Sequence, residues 1–288
     1  MSKKPAKSSS RSTERRAAAA PRPAVAKRLP AKPSGPDTAT LARVAAEEGV
    51  CVLYAAESGS RAWGFASPDS DYDVRFIYVH PRAWYLSLAE ERDVIERPLD
   101  DKLVDLAGWD LRKALRLLLK SNPALYEWLT SPIVYCDDGT FRDAAKSLFE
   151  RHADPHVLAH AYHSIAKGQF AGAGSTTESF KLKRYFYAVR PILSLHWLAE
   201  CGGLPPMNLQ ELMEGARLTS PVRQAILDLL TRKKTTPELG QGARIPVLED
   251  WLREGLATLA PKDRIAEVIN SSAALHEADA LFARIARL

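Results

Sequence analysis

The sequence predicts an α+β fold in which a small mixed β-sheet is followed by an all-α helical half. Apolar, β-branched runs fall in the first half, CVLYAAES at Cys51 to Ser58 and VRFIYV at Val74 to Val79, as buried strands do. Beyond Tyr135, apolar residues recur at spacings of three and four in successive segments, the pattern of helices with one buried face. At 288 residues the chain is long enough for one large or two modest domains with a real core. The expected division is a basic tail at 1–38, a sheet domain at 39–140 and a helical domain at 141–288.

Charge separates the tail from the body. Residues 1–38 hold ten Lys and Arg against Glu14 and Asp37, a net +8, so the remainder carries −3 although the whole chain carries +5. With no Phe, Tyr, Trp or Ile, the tail cannot bury enough apolar surface to offset its ordering entropy, and disorder is expected. Its charge suits nonspecific contact with RNA, DNA or an anionic surface. An Arg- and Ser-rich, acid-poor end also fits a transit peptide. The Ala- and Arg-rich makeup of the whole chain favours a cytoplasmic protein. No apolar run reaches membrane-spanning length and no secretory signal is present. Cys51, Cys136 and Cys201 are odd in number and far apart, which gives neither a disulfide framework nor zinc spacing.

Taken in order, Cys51 to Ser58 reads as a buried strand running into Gly59-Ser60, which opens a short helix from Arg61 to Phe65. A helix start offers unpaired N–H groups and glycine lets a phosphate approach the backbone. Gly59 and Ser60 are therefore a candidate phosphate cradle, with Arg61 as the adjacent cation. The stretch GSRAWGFASPDSDYD then places two aspartates one residue apart ahead of VRFIYV. In a strand begun at Asp71, positions i and i+2 share a face, so Asp71 and Asp73 project together and Tyr72 points away. Mg²⁺ is commonly held by one or two carboxylates plus substrate phosphates. An Asp-x-Asp after Pro68 on its own also reads as a solvated turn. The ordered series of strand, Gly-Ser, short helix, loop, Asp-x-Asp and strand points instead to a metal and triphosphate site. Asp69 lies in the turn and is the least favoured carboxylate.

Further on, Lys102 to Leu106 alternates like a short strand after the charged stretch Glu90 to Asp101. Asp110 suits the N-cap of a helix over Leu111 to Lys120, where it accepts from orphan N–H groups. In the helix expected over Phe180 to Glu200, Lys183, Tyr187 and Arg190 recur at spacings of four and three and share a face. That face suits phosphates and a stacked base; solvated cations and core aromatics give the same pattern. Pro191 is expected to kink this helix. His152, His156, His160 and His163 lack the Glu or Cys of a known metal spacing and read as structural or exposed. AGAGST, Ala171 to Thr176, lacks the P-loop lysine and reads as a link between helices.

The Gly-Ser and Asp-x-Asp block resembles the signature of the DNA polymerase beta superfamily of nucleotidyltransferases. With Gly108 to Tyr135 and KLKRYFYAVRPIL, Lys181 to Leu193, the chain resembles more closely the YcgL-like, RNA-repair-associated (RlaP-type) branch, over roughly residues 45 to 285. The resemblance implies a third metal-binding carboxylate on a later strand, for which Asp105 is the best candidate and Asp110 the rival. It implies Mg²⁺ or Mn²⁺ as cofactor, a nucleoside triphosphate as substrate, and attack of an acceptor hydroxyl on the α-phosphate with pyrophosphate leaving. An RNA 3′ end, gripped with help from the tail, is the acceptor it favours. A protein hydroxyl, as in toxin-paired minimal nucleotidyltransferases, and a catalytically weak nucleotide or RNA sensor are the other classes considered.

Overall fold

The computed structural model describes residues 38–287 except 68, 90, 99–102, 172–178, 236–239 and 263–271. The expected tail therefore lies outside the described residues except for Thr38, which opens the first helix, and most of AGAGST lies outside them too. The described residues fall in one compact unit.

Helix α1 (Thr38–Glu48) precedes β1 (Cys51–Glu57), the one-turn α2 (Gly59–Ala62), β2 (Tyr72–Val79) and the short α3 (Arg82–Tyr85). Strands β3 (Val94–Arg97) and β4 (Val104–Asp110), helices α4 (Leu111–Leu119) and α5 (Pro123–Leu129), and β5 (Val134–Asp137) follow. The rest is mainly helical: α6 (Arg142–His152), α7 (Pro155–Phe170), β6 (Ser179–Lys181), α8 (Leu182–Glu200), α9 (Leu209–Gly215), α10 (Ser220–Thr235), β7 (Gln241–Ala243), α11 (Pro246–Thr258) and α12 (Ser272–Ala286). The expected α+β class is what is observed.

The five-stranded sheet runs β3-β4-β2-β1-β5 and is mixed, because β2 and β4 are parallel while the other pairings are antiparallel. The parallel pair needs a crossover, supplied by the segment holding α3 and β3. Strand β3 falls inside the charged stretch between Glu90 and Asp101. It is an edge strand, where charged residues blunt unwanted pairing, so its charge concealed it. Strand β4 begins later than Lys102 and runs on to Asp110, which also caps α4: its side chain accepts from Arg112 N, and Tyr85 Oη donates to its Oδ2 at 2.6 Å.

Side-chain alternation gives the sheet two faces. One packs Val74, Phe76, Tyr78, Val104 and Leu106 against Leu41 and Val44 of α1. The other sends Tyr54, Ala56 and Ile77 into the main core with the helices. Asp73 and Arg75 have the parity of Ile77, so they lie on the helical side. Helix α8 is the axis of that side, burying Tyr185, Phe186, Val189, Ile192 and Leu193. It runs unbroken through Pro191. The ribbon β6–β7 pairs Lys181 with Gln241 and so fixes the start of α8.

Phe76 faces Gly108 across the parallel pair, and a Cβ on Gly108 would lie 2.3 Å from the Phe76 ring. Inserting a methyl there overpacks the smaller core, at a cost of about 1–3 kcal/mol. Gly108→Ala is expected to lower the melting temperature by several degrees in a circular-dichroism melt; an unchanged value would show that the ring gives way freely.

Candidate functional site

The site forms where β1 ends, β2 and β4 begin, and α8 passes over the sheet. Asp73 and Asp105 are direct partners in the β2–β4 register, so two carboxylates thirty-two positions apart stand side by side. Arg75, two residues along the same strand face, closes the gap between them. Its Nη2 donates to Asp73 Oδ1 at 3.0 Å and to Asp105 Oδ2 at 2.8 Å. Nη1 donates to the Asp105 and Val74 carbonyls.

Asp73 is held from several directions. Its N–H donates to Glu57 Oε1 at 2.9 Å, its carbonyl accepts from Ser58 N at 2.8 Å, and Tyr135 Oη donates to Glu57 Oε2. Gly59 has φ +61°, and a Cβ there would meet Asp73 Oδ2 at 2.1 Å. Only glycine lets the carboxylate lie against this turn. Burial raises the Asp73 pKa, Asp71 and Asp105 add to the rise, and Arg75 and Lys183 oppose it.

The loop between α2 and β2 is fixed mainly by side chains. Arg61 donates through Nε to the Asp71 carbonyl at 3.0 Å and through Nη2 to the Ser70 carbonyl at 2.5 Å, and its guanidinium stacks 3.8 Å from the Tyr72 ring centre. Arg61 thus sets the position of Asp71. Ser60 Oγ donates to Ser70 Oγ at 3.3 Å, which also accepts from Ser67 N. Strand β2 starts at Tyr72, leaving Asp71 on the loop just before it rather than in the strand as expected.

Two hollows flank the carboxylates. A cleft of about 510 Å³ is lined by Ser60, Asp69, Asp71, Lys181, Lys183 and Lys233, among others. On the other side, a pocket of about 320 Å³ is walled by Trp63, Trp128, Tyr162 and Tyr187, with Ser58 and Arg75 at its edge. One turn of α8 bridges them, Lys183 lining the first and Tyr187 the second. Tyr187 lies edge-on to Trp63 with ring centres 5.5 Å apart. Its hydroxyl is pushed up to about 12 by burial and then by the charges of Asp73 and Asp71.

Of the residues singled out from sequence, Gly59, Ser60, Asp71, Asp73, Asp105, Lys183 and Tyr187 gather around this place, and Arg61 supports it from behind. Arg190 lines the smaller pocket together with Tyr187. It is buried, pairs with Glu127 at 2.7 Å and donates to the Met207 carbonyl, and lies 4.6 Å from the Trp63 ring. Glu127 Oε2 accepts from Trp63 Nε1 at 3.1 Å, so Arg190 braces the aromatic wall. The histidines make separate local contacts, His152 with Glu277 and His163 with the Leu256 carbonyl. Among the described residues, no three His, Cys, Asp or Glu side chains form a group that could hold a metal ion as they stand. Asp73 and Asp105 nonetheless share one cation, a donor set that suits a hard ion.

Sequence reading passed over Lys233, which is buried beneath the cleft, 4.7 Å from the Phe65 ring centre. Desolvation, then repulsion from Lys183, lowers its pKa to about 8, while Asp71, Asp69 and Asp73 oppose the shift. A signal existed: Val222, Ile226 and Leu229 mark the buried face of α10, and Lys233 continues that stripe.

The model of a family described as RlaP, RNA repair pathway DNA polymerase beta family, matches residues 35–284. The uncharacterized protein YcgL of Bacillus subtilis (strain 168) is 43% identical over 212 residues, covering 74% of this chain and 81% of that protein. A solved nucleotidyltransferase-like protein from Exiguobacterium sibiricum 255-15 shares 15% identity with a TM-score of 0.26, over 85% of this chain and 78% of that one. That likeness is too distant to carry an argument.

Because its folded-state pKa lies below the unfolded value, Lys233 costs stability while charged, and that cost disappears as pH rises from about 8 to the unfolded pKa. Lysine-selective ¹³C methylation followed by NMR titration should show one amine titrating near 8 that vanishes in Lys233→Gln. If every lysine titrates above 10, Lys233 is not desolvated as described.

Proposed function

This chain belongs to the RlaP family, the RNA repair pathway DNA polymerase beta family, and from that membership we propose a metal-dependent nucleotidyltransferase that transfers a nucleoside monophosphate from a nucleoside triphosphate to an acceptor hydroxyl. The observation that carries the reading is the pairing of Asp73 with Asp105 across parallel strands, beside a turn where only glycine fits. Asp71, Asp73 and Asp105 would hold Mg²⁺ or Mn²⁺, which when bound supplies charge neutralisation at the phosphates and polarises the reacting oxygens.

The residues of the chain divide the remaining work. Lys183 and Lys233, with Lys181 at the rim, offset the charge of the triphosphate in the larger cleft, and the Gly59-Ser60 turn faces the same space. Trp63, Trp128 and Tyr187 offer flat faces to a base in the smaller pocket, where stacking on aromatic rings is tolerant of base identity. The acceptor oxygen attacks the α-phosphorus, the bond to pyrophosphate breaks, and an Asp105 carboxylate oxygen takes the hydroxyl proton. Preorganised charge in a partly desolvated site supplies most of the rate enhancement in such chemistry.

The favoured acceptor is an RNA 3′ end, and family membership is the support for it. The body outside the tail carries a net −3, which suits a short acceptor segment better than a long groove, with the +8 tail adding nonspecific grip. Among the described residues no helix is long and apolar enough to cross a membrane.

Incubating the protein with each α-labelled triphosphate, divalent metal and either total RNA or total protein reports donor and acceptor together. Labelled RNA is expected, reduced about 100-fold or more in Asp73→Ala and in Asp105→Ala, with the fold intact by circular dichroism. Full activity in either variant would remove the site assignment, and label in protein alone would replace RNA with a protein acceptor.

A further inference from the structure

The guanidinium of Arg75 lies where a divalent cation would have to reach the paired carboxylates. Its Nη2 binds Asp73 Oδ1 and Asp105 Oδ2 together, and Nη1 is tied to two backbone carbonyls. The side chain is only 18% exposed, so the contact is built into the sheet face. A magnesium-sized ion takes its oxygens at about 2.0–2.1 Å, and repulsion at such range keeps a guanidinium off the same two oxygens. Among the described residues, Arg75 is the one cation in direct contact with both carboxylates, while Lys183 acts on Asp73 from the adjoining cleft.

Arg75 also has room to move. Its register neighbours are Ala56 on β1 and Ala107 on β4, the smallest side chains with a Cβ, and it borders the 320 Å³ pocket. We propose that Arg75 is an internal placeholder cation, which holds Asp73 and Asp105 together in the nucleotide-free protein and must leave them before a divalent metal can bind. The inference rests on the metal-dependent reading above. It means that metal alone binds weakly, because it must displace a resident charge. The triphosphate brings compensating negative charge and makes the exchange favourable, so metal and nucleotide enter together. The displaced guanidinium turns into the neighbouring 320 Å³ pocket, on the side assigned above to the base.

A purely structural clamp makes the opposite forecast. If Arg75 only keeps two repelling carboxylates in place, its removal lets them splay and weakens metal binding. The test is a titration of the full chain with Mn²⁺ alone, free Mn²⁺ being read by electron paramagnetic resonance. Arg75→Gln is expected to bind Mn²⁺ about tenfold more tightly than the wild type, or better, as removal of a unit charge a few ångströms away should allow. Adding a non-hydrolysable triphosphate should tighten Mn²⁺ binding in the wild type and narrow the difference. Equal or weaker binding by folded Arg75→Gln would overturn the placeholder role. So would tight binding of Mn²⁺ by the wild type without nucleotide, a measurement that does not depend on the variant folding. Absence of Mn²⁺ binding by both proteins even with the triphosphate analogue would instead remove the metal-dependent reading, and this inference with it.

Discussion

The parallel pairing of β2 with β4 is the constraint on which the site depends. It sets Asp73 opposite Asp105 and Phe76 opposite Gly108, so the chemistry on one face and the packing on the other share one register. A slip of one residue would turn every side chain to the wrong face. The register is held by apolar burial: Val74, Phe76 and Tyr78 are fully withdrawn from solvent between the sheet and α1. The small core under α1 is thus what aligns the carboxylates on the far side.

Electrostatics then determine which groups can sit together. Asp71, Asp73 and Asp105 concentrate negative charge at the N-terminal ends of the inner strands β2 and β4, and the fold answers with Arg75 between two of them and Lys183 and Lys233 at the adjoining cleft. Lys233 is held at a cost, since burial and Lys183 both disfavour its charge. A desolvated cation of this kind gains most from an anionic ligand, which restores the interactions that water no longer provides. The buried Arg190–Glu127 pair plays a different part: each charge satisfies the other, and together they hold Trp63 in the aromatic wall. Breaking one member would leave the other buried and unpaired.

Much of this was legible in the chain itself. The strand at Cys51, the Gly-Ser turn, the paired aspartates and the helices after Tyr135 follow from periodicity and turn chemistry, and Asp110 as the cap of α4 follows from its place before an apolar helix. What escaped did so for physical reasons. Strand β3 is short and charged because it is an edge, and β6 and β7 are too short for a period to show. Arg190 shares a helical face with Lys183 and Tyr187, but its partner Glu127 lies sixty-three positions away, a distance no local pattern reports. Arg75 was within reach: in Asp71-Tyr72-Asp73-Val74-Arg75 the alternation that groups the aspartates also places a cation next in line. Its bond to Asp105, however, needs the register of a strand thirty residues on.

We propose that the register-paired Asp73 and Asp105 form a metal site whose resident cation is Arg75. Anomalous diffraction from crystals grown with Mn²⁺ and a non-hydrolysable nucleoside triphosphate tests it most directly. A manganese peak is expected within bonding distance of oxygens from both Asp73 and Asp105, with the Arg75 guanidinium withdrawn from them. A nucleotide-bound crystal with Arg75 still bridging the two carboxylates, and manganese elsewhere, would contradict it.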